Sequence, residues 1–126
     1  MRGNLWFKRI LWSIVLIVAC SGCTHADNQS GFVGSSIDAQ FPVPVRAEIT
    51  DHTSQDNSIH YVRYKLKGLQ EEDSIPAYYL AKLQESGWIE QQDAQMGALR
   101  VFKKEEKIMN LTTHTGFFTL YTKKSG

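Results

Sequence analysis

Residues Ile10 to Ala19 form an apolar run, ILWSIVLIVA, broken only by Ser13. At about 1.5 Å rise per residue a helix of that length spans about 15 Å, half of the ~30 Å hydrocarbon core of a bilayer. Extending the run back to Leu5 meets Lys8 and Arg9. The residues before it carry Arg2, Lys8 and Arg9 and no acid, and small residues follow it. A positive start, a short apolar run and small residues form the pattern of a secretory signal rather than of a stable membrane span. Residues 1–19 are therefore expected to direct export and to be removed. An uncleaved N-terminal anchor and a plain signal peptide are the other readings of the same run.

The end of the run narrows the choice. Ile17-Val18-Ala19-Cys20 resembles the lipobox of bacterial lipoproteins: an aliphatic residue, a small or aliphatic residue, Gly or Ala, then Cys. The resemblance implies that Cys20 receives a diacylglycerol thioether, that cleavage falls just before it, and that it becomes the lipidated N-terminus. Ser21-Gly22-Cys23 is a second possible ending, but it puts Cys20 where the family prefers Leu, so Cys20 is the better match and Cys23 the alternative. Anchoring needs about two acyl chains at ~0.8 kcal/mol per buried CH₂, and a diacylglycerol supplies two. The implied location is the cell membrane or outer membrane, on its extracytoplasmic side.

Charge excludes one class of partner. Taking Arg2, Lys8 and Arg9 from 14 basic residues leaves 11 against 13 acidic ones, a net charge of −2. Nucleic-acid binding usually requires a basic surface, so no nucleic-acid partner is expected. Both cysteines lie in the signal region, so the rest of the chain has no disulfide and no thiol chemistry. Cys20 and Cys23 also read as Cys-x-x-Cys, but they end an apolar run and have no second ligand pair, which argues against a redox or zinc site.

The remaining chain reads as a tether followed by one domain. Residues 20–40 are rich in Ser, Gly, Asn and Asp and read as a lipidated N-terminus and flexible tether, with local docking of Phe32 and Val33 left open. Residues 41–124 read as a single α+β domain. Val43, Val45, Ala47 and Ile49 alternate with polar residues or proline, the period of a half-buried strand, and Pro42 and Pro44 place its start at a sheet edge. Residues 59–67 alternate more clearly, with Val62, Tyr64 and Leu66 on one side and Arg63, Lys65 and Lys67 on the other. A helix is expected over residues 74–86, capped by Ser74, with Ile75, Tyr79, Leu80 and Leu83 on one face. Gly87 is its stop. A Schellman turn there brings Leu83 and Trp88 together, so Trp88 reads as a structural clasp. Three strands follow, at residues 98–103, 107–113 and 117–123, with their faces ambiguous. The order ββαβββ predicts a two-layer fold: an antiparallel sheet of about five strands with one helix packed on one face.

The pattern Tyr78-Tyr79-Leu80, Leu83 and Gly87-Trp88, followed by a strand ending Phe102-Lys103-Lys104, resembles a small α+β domain found in bacterial envelope lipoproteins of unassigned function. The resemblance implies the fold and the address, and no activity. The residues themselves suggest no catalytic set, metal site or cofactor. His25, His52, His60 and His114 lack partners at ligand spacing, and no nucleophile elbow or phosphate-binding glycine loop is present. Glu71, Glu72 and Asp73 suit the dipole of the helix that follows. Tyr78 is the one aromatic off the helix's apolar stripe. The expectation is a non-enzymatic, lipid-anchored envelope protein. Its membrane contact is the N-terminal lipid, and its partner is another envelope protein met through the proline-marked edge strand or the outer side of the helix. A small-ligand or glycan-binding module, with a cleft between helix and sheet, is the alternative.

Overall fold

Pairing between strands far apart in sequence organises residues 31–125, the part of the chain that the computed structural model describes. A helix and eight strands occur there: β1 (Phe32–Gly34), β2 (Pro42–Pro44), β3 (Glu48–Asp51), β4 (Ile59–Lys65), α1 (Ala77–Glu85), β5 (Ile89–Glu90), β6 (Leu99–Lys104), β7 (Lys107–His114) and β8 (Phe117–Lys123). Six of them form an antiparallel sheet in the order β3-β4-β8-β7-β6-β5, and β1 and β2 pair by themselves. The class is α+β, but with eight strands in two sheets rather than about five in one.

Three strands are additional: β1 lies in the expected tether, β5 directly follows the helix stop, and one expected strand divides in two. The expected strand from Val43 to Ile49 is two strands, because the chain turns between them; the Ala47 N–H donates to the Pro44 carbonyl at 2.9 Å. β2 then pairs with β1, and β3 pairs with β4. The alternation of Val43, Val45 and Ile49 is therefore not one buried stripe: Val43 is buried, while Val45 and Ile49 are about half exposed. Pro42 and Pro44 do mark a strand whose ladder is short, but β2 is buried throughout and is not an exposed edge.

The expected tether is also shorter at its distal end. Residues 31–40 belong to the packed unit, and residues 20–30 lie outside the described residues. Phe32 packs 6.1 Å from the Tyr78 ring and 5.9 Å from the Tyr79 ring, centroid to centroid. Phe41 is fully buried, its ring edge-on to Trp88 at 4.9 Å. The Tyr64 hydroxyl accepts from the Ser36 N–H at 2.9 Å. This segment looks polar in sequence because its apolar anchors, Phe32, Ile37 and Phe41, are few and widely spaced. Gly34 allows its tight return: a Cβ there would meet the Ala39 carbonyl oxygen at 2.4 Å, inside any real contact. Gly34→Ala is expected to destabilise the fold by about 1–3 kcal/mol, read as a lower urea midpoint. A change within a few tenths would show that β1 is not integral to it.

The helix begins later than its pattern suggests. Ser74 does not cap it; this residue has φ 59° and ends a short 3₁₀ turn over Glu71–Asp73. The cap position is Pro76, whose carbonyl accepts from the Tyr79 and Leu80 N–H groups at 3.0 and 3.1 Å. The acids therefore lie outside the first helical turn and gain little from the helix dipole. The stop is as expected. Gly87 takes φ 91°, its N–H donates to the Gln84 carbonyl, and the Trp88 N–H donates to the Leu83 carbonyl at 2.9 Å. These are the two bonds of a Schellman turn, and Leu83 and Trp88 are both fully buried in the same core.

The core lies between the six-stranded sheet and a layer made of α1 and the β1–β2 hairpin. The sheet contributes Val62, Tyr64, Phe102, Met109, Leu111, Phe118 and Leu120; the covering layer contributes Phe41, Val43, Ile75, Tyr79, Leu83 and Trp88. The three C-terminal strands fall where the sequence places them, joined by turns at Glu105-Glu106 and Thr115-Gly116. Their ambiguous faces have a physical reason. Val101 is 6% and Thr119 8% exposed although they point away from the core, because larger neighbours on the second face shield them.

Candidate functional site

β4, β8, β7 and β6 each send alternate side chains away from the core, and antiparallel register aligns them in rows. Arg63, Thr119, Thr112 and Leu99 make one row; Tyr61, Tyr121, Asn110 and Val101 make the next. Towards one end lie Lys65, Phe117 and His114, and towards the other Ile59 with Lys123, and Lys103 with Ile108. The helix and the small hairpin pack on the opposite face, so among the described residues this face has no covering layer.

Its most ordered feature is a stack of three planar groups. The Phe117 ring lies parallel to the His114 imidazole, 4.4 Å between centroids and 10° between planes. The Arg63 guanidinium carbon sits 4.8 Å from the Phe117 centroid. Phe117 lies on the strand between those carrying Arg63 and His114, so its two neighbours hold it from both sides. A cation over an aromatic ring contributes about 0.5–1 kcal/mol where partly exposed. The Glu71 carboxylate is 3.7 Å from His114 Nδ1, tying the turn before the helix to this stack. Asp51, opposite Arg63 in the register, has its carboxyl held below the usual carboxylate range, chiefly by the Thr53 backbone N–H at 2.9 Å, with the Arg63 charge adding to it.

The largest cleft, about 770 Å³, lies at one end of the sheet and is lined by Asp38, His60, Glu106, Ile108, Asn110 and Lys123 among others. Two smaller clefts lie elsewhere. One, of about 420 Å³, is lined by Glu71, Glu72, Ser74, Gln95 and Arg100 among others. Arg100 points to the covered side, where its guanidinium pairs with Glu90 and donates to the Ser74 hydroxyl. Both bonds serve structure: they join β5, β6 and the turn that carries the left-handed Ser74. The other cleft, about 360 Å³, includes His52, His60, Asp56 and Lys124. It brings two of the histidines into one place, but among the described residues no three His, Cys, Asp or Glu side chains converge as metal ligands. The Asp56 carboxyl is held low by the Ser58 hydroxyl and N–H, which makes it a loop staple.

The other residues that stand out in the sequence have clear places in the fold or fall beyond it. Cys20, Cys23 and His25 lie outside the described residues. Trp88 is a buried clasp, and its Nε1–H donates to the Gln40 carbonyl at 2.9 Å. Tyr78 is 38% exposed, and its place off the helix stripe is explained by Phe32, which it covers. The Arg63–Phe117–His114 stack is not legible in the chain. Alternation marks Arg63 as outward, but its neighbours follow only from the β4–β8 pairing, which joins segments more than fifty residues apart.

Comparison with known proteins gives no match among protein families, curated proteins or solved structures. Among the described residues no helix is long and apolar enough to cross a membrane.

Proposed function

We propose that this chain is a lipid-anchored protein of the bacterial cell envelope whose folded unit binds another envelope protein and performs no catalysis. The observation that carries the reading is the sequence Ile17-Val18-Ala19-Cys20 at the end of a short, positively flanked apolar run. It supplies the address, the acceptor thiol and the anchor. A packed unit described from Gly31 leaves ten residues, eleven chain steps, between it and Cys20. Extended, these reach at most about 40 Å, so the unit works close to the membrane surface.

The open sheet face supports a binding role, since interfaces are enriched in Tyr, Phe and Arg relative to ordinary surface. The small-ligand alternative draws no support from the space between helix and sheet, where Phe41, Tyr79, Trp88, Phe102 and Phe118 are all buried in one core. The test is chemical cross-linking in intact cells, followed by purification of a tagged chain from detergent-solubilised membranes. A single reproducible protein partner is expected. A clean, membrane-bound monomer would count against the interaction role.

A further inference from the structure

We infer that the open face of the six-stranded sheet is where the partner docks, and that it takes an acidic, extended protein segment. This rests on the interaction reading above and adds the surface and the chemistry of its occupant.

Charge is the first reason. The exported chain carries a net charge of −2, yet Arg63, Lys65, Lys103 and Lys123 all project from this one face. None of the four has a carboxylate within 4.0 Å among the described residues. The nearest acids in the register, Glu48 and Asp51, stand opposite Lys65 and Arg63 on the edge strand β3. Away from this face, Arg100, Lys82 and Lys107 are paired with Glu90, Glu85 and Asp38, whereas Arg46, Lys67, Lys104 and Lys124 have no carboxylate within 4.0 Å among the described residues. Four cations against two acids in the register leave this face net positive on a chain of net negative charge, which makes it an electrostatic complement to carboxylates.

The arrangement is the second reason. Lys65, Lys103 and Lys123 lie towards the two ends of the strands and Arg63 in a central row, beside the row of Tyr61, Tyr121 and Asn110, which are all partly buried. Aromatic anchors inside a charged rim is the layout of an interface whose binding energy is concentrated at its centre. The Asn110 amide donates to the Tyr121 carbonyl at 3.2 Å, which fixes its oxygen as an acceptor for an incoming donor.

Size and symmetry then choose the occupant. β4 spans seven residues, about 20 Å, and four strands at about 4.8 Å cover some 15–20 Å. The flat footprint of these four central strands is thus on the order of 300–400 Å², short of the roughly 800 Å² of accessible surface per partner in a stable globular interface. A second copy meeting the same face across a two-fold axis would also set four cations against four. A short acidic segment fits both limits. Fluid anionic headgroups would satisfy the lysines, but they offer nothing that registers with the fixed amide and phenol groups between them.

The experiment places the photo-cross-linker p-benzoylphenylalanine at Tyr61 or Tyr121 in the full chain, in the cells that make it. Tyr78 and Ile49, exposed but off this face, are the comparison positions. Adducts from Tyr61 and Tyr121 are expected at least tenfold above the comparison positions, and to map to an Asp- and Glu-rich peptide of one protein. Lys103→Glu with Lys123→Glu, both at exposed positions and so harmless to folding, should lower the adduct yield at least fivefold. Adducts confined to Tyr78 or Ile49 would leave the interaction role standing and overturn this surface. Adducts to phospholipid, to a second copy or to a non-acidic segment, or yields unchanged by the charge reversal, would also overturn it. No protein adduct from any of the four positions would overturn the interaction role itself.

Discussion

Replacing Trp88 by alanine is expected to cost about 3–5 kcal/mol of folding stability. Three losses combine. The indole is fully buried, so its removal leaves a cavity that the rigid sheet cannot close. Its edge-on contact with Phe41 disappears, and with it the main apolar anchor of the β1–β2 hairpin. The Gln40 carbonyl loses the Nε1–H donor, 2.9 Å away, that fixes the end of that hairpin. Domains of this size have only about 5–15 kcal/mol in total, so the variant should sit at the margin of folding at 37 °C. Urea unfolding followed by circular dichroism reads the change. Trp88→Phe keeps much of the packing and is expected to lose less than half as much. Tyr79→Phe is the control at equal depth: the ring stays, and the buried hydroxyl, pushed well above the usual tyrosine range by burial, has no hydrogen-bond partner among the described residues. Its loss should change stability by no more than about 1 kcal/mol. A Trp88→Ala cost below about 1 kcal/mol would contradict the clasp.

Replacing Cys20 by alanine is expected to remove the lipid completely. The thiol is the only group at that position able to form the thioether. Cleavage that waits for the lipid then fails, and the product keeps residues 1–19. This makes membrane fractionation a poor readout, because the retained apolar run can itself hold the chain at the membrane. Metabolic labelling with a fatty acid separates the cases: label is absent from Cys20→Ala and unchanged in Cys23→Ala. Label lost only in the double variant would leave the choice of Cys20 unsupported, and label lost only in Cys23→Ala would move the site to Ser21-Gly22-Cys23. The effect is all-or-none because alanine offers no thiol on which the thioether can form.

What can be seen in the chain divides by distance along it. The helix stop is legible because Leu83, Gly87 and Trp88 lie within six residues and a Schellman turn relates them directly. β4 and the three C-terminal strands are legible because alternation and short turns are local signals. The helix start is not: Ser74 has the right chemistry for a cap, but its side chain is engaged by Arg100, 26 residues away. The division of residues 43–49 is hidden for a similar reason. The alternation runs on through the turn after Pro44, and only the pairing of β2 with β1 shows where it breaks. Phe32 and Phe41 are too sparse to declare a hairpin, since their burial depends on Tyr79, Trp88 and Phe102 beneath them. The open face is a property of the assembled sheet, and no single strand carries it.

The lipid anchor is tested most directly by mass spectrometry of the N-terminal peptide of the wild-type chain isolated from its own membranes. The expected peptide begins at Cys20 and carries the added mass of a diacylglycerol on that residue. A peptide that begins at Met1, or one that begins within residues 20–30 with no added lipid, would contradict the account of a lipid-anchored envelope protein.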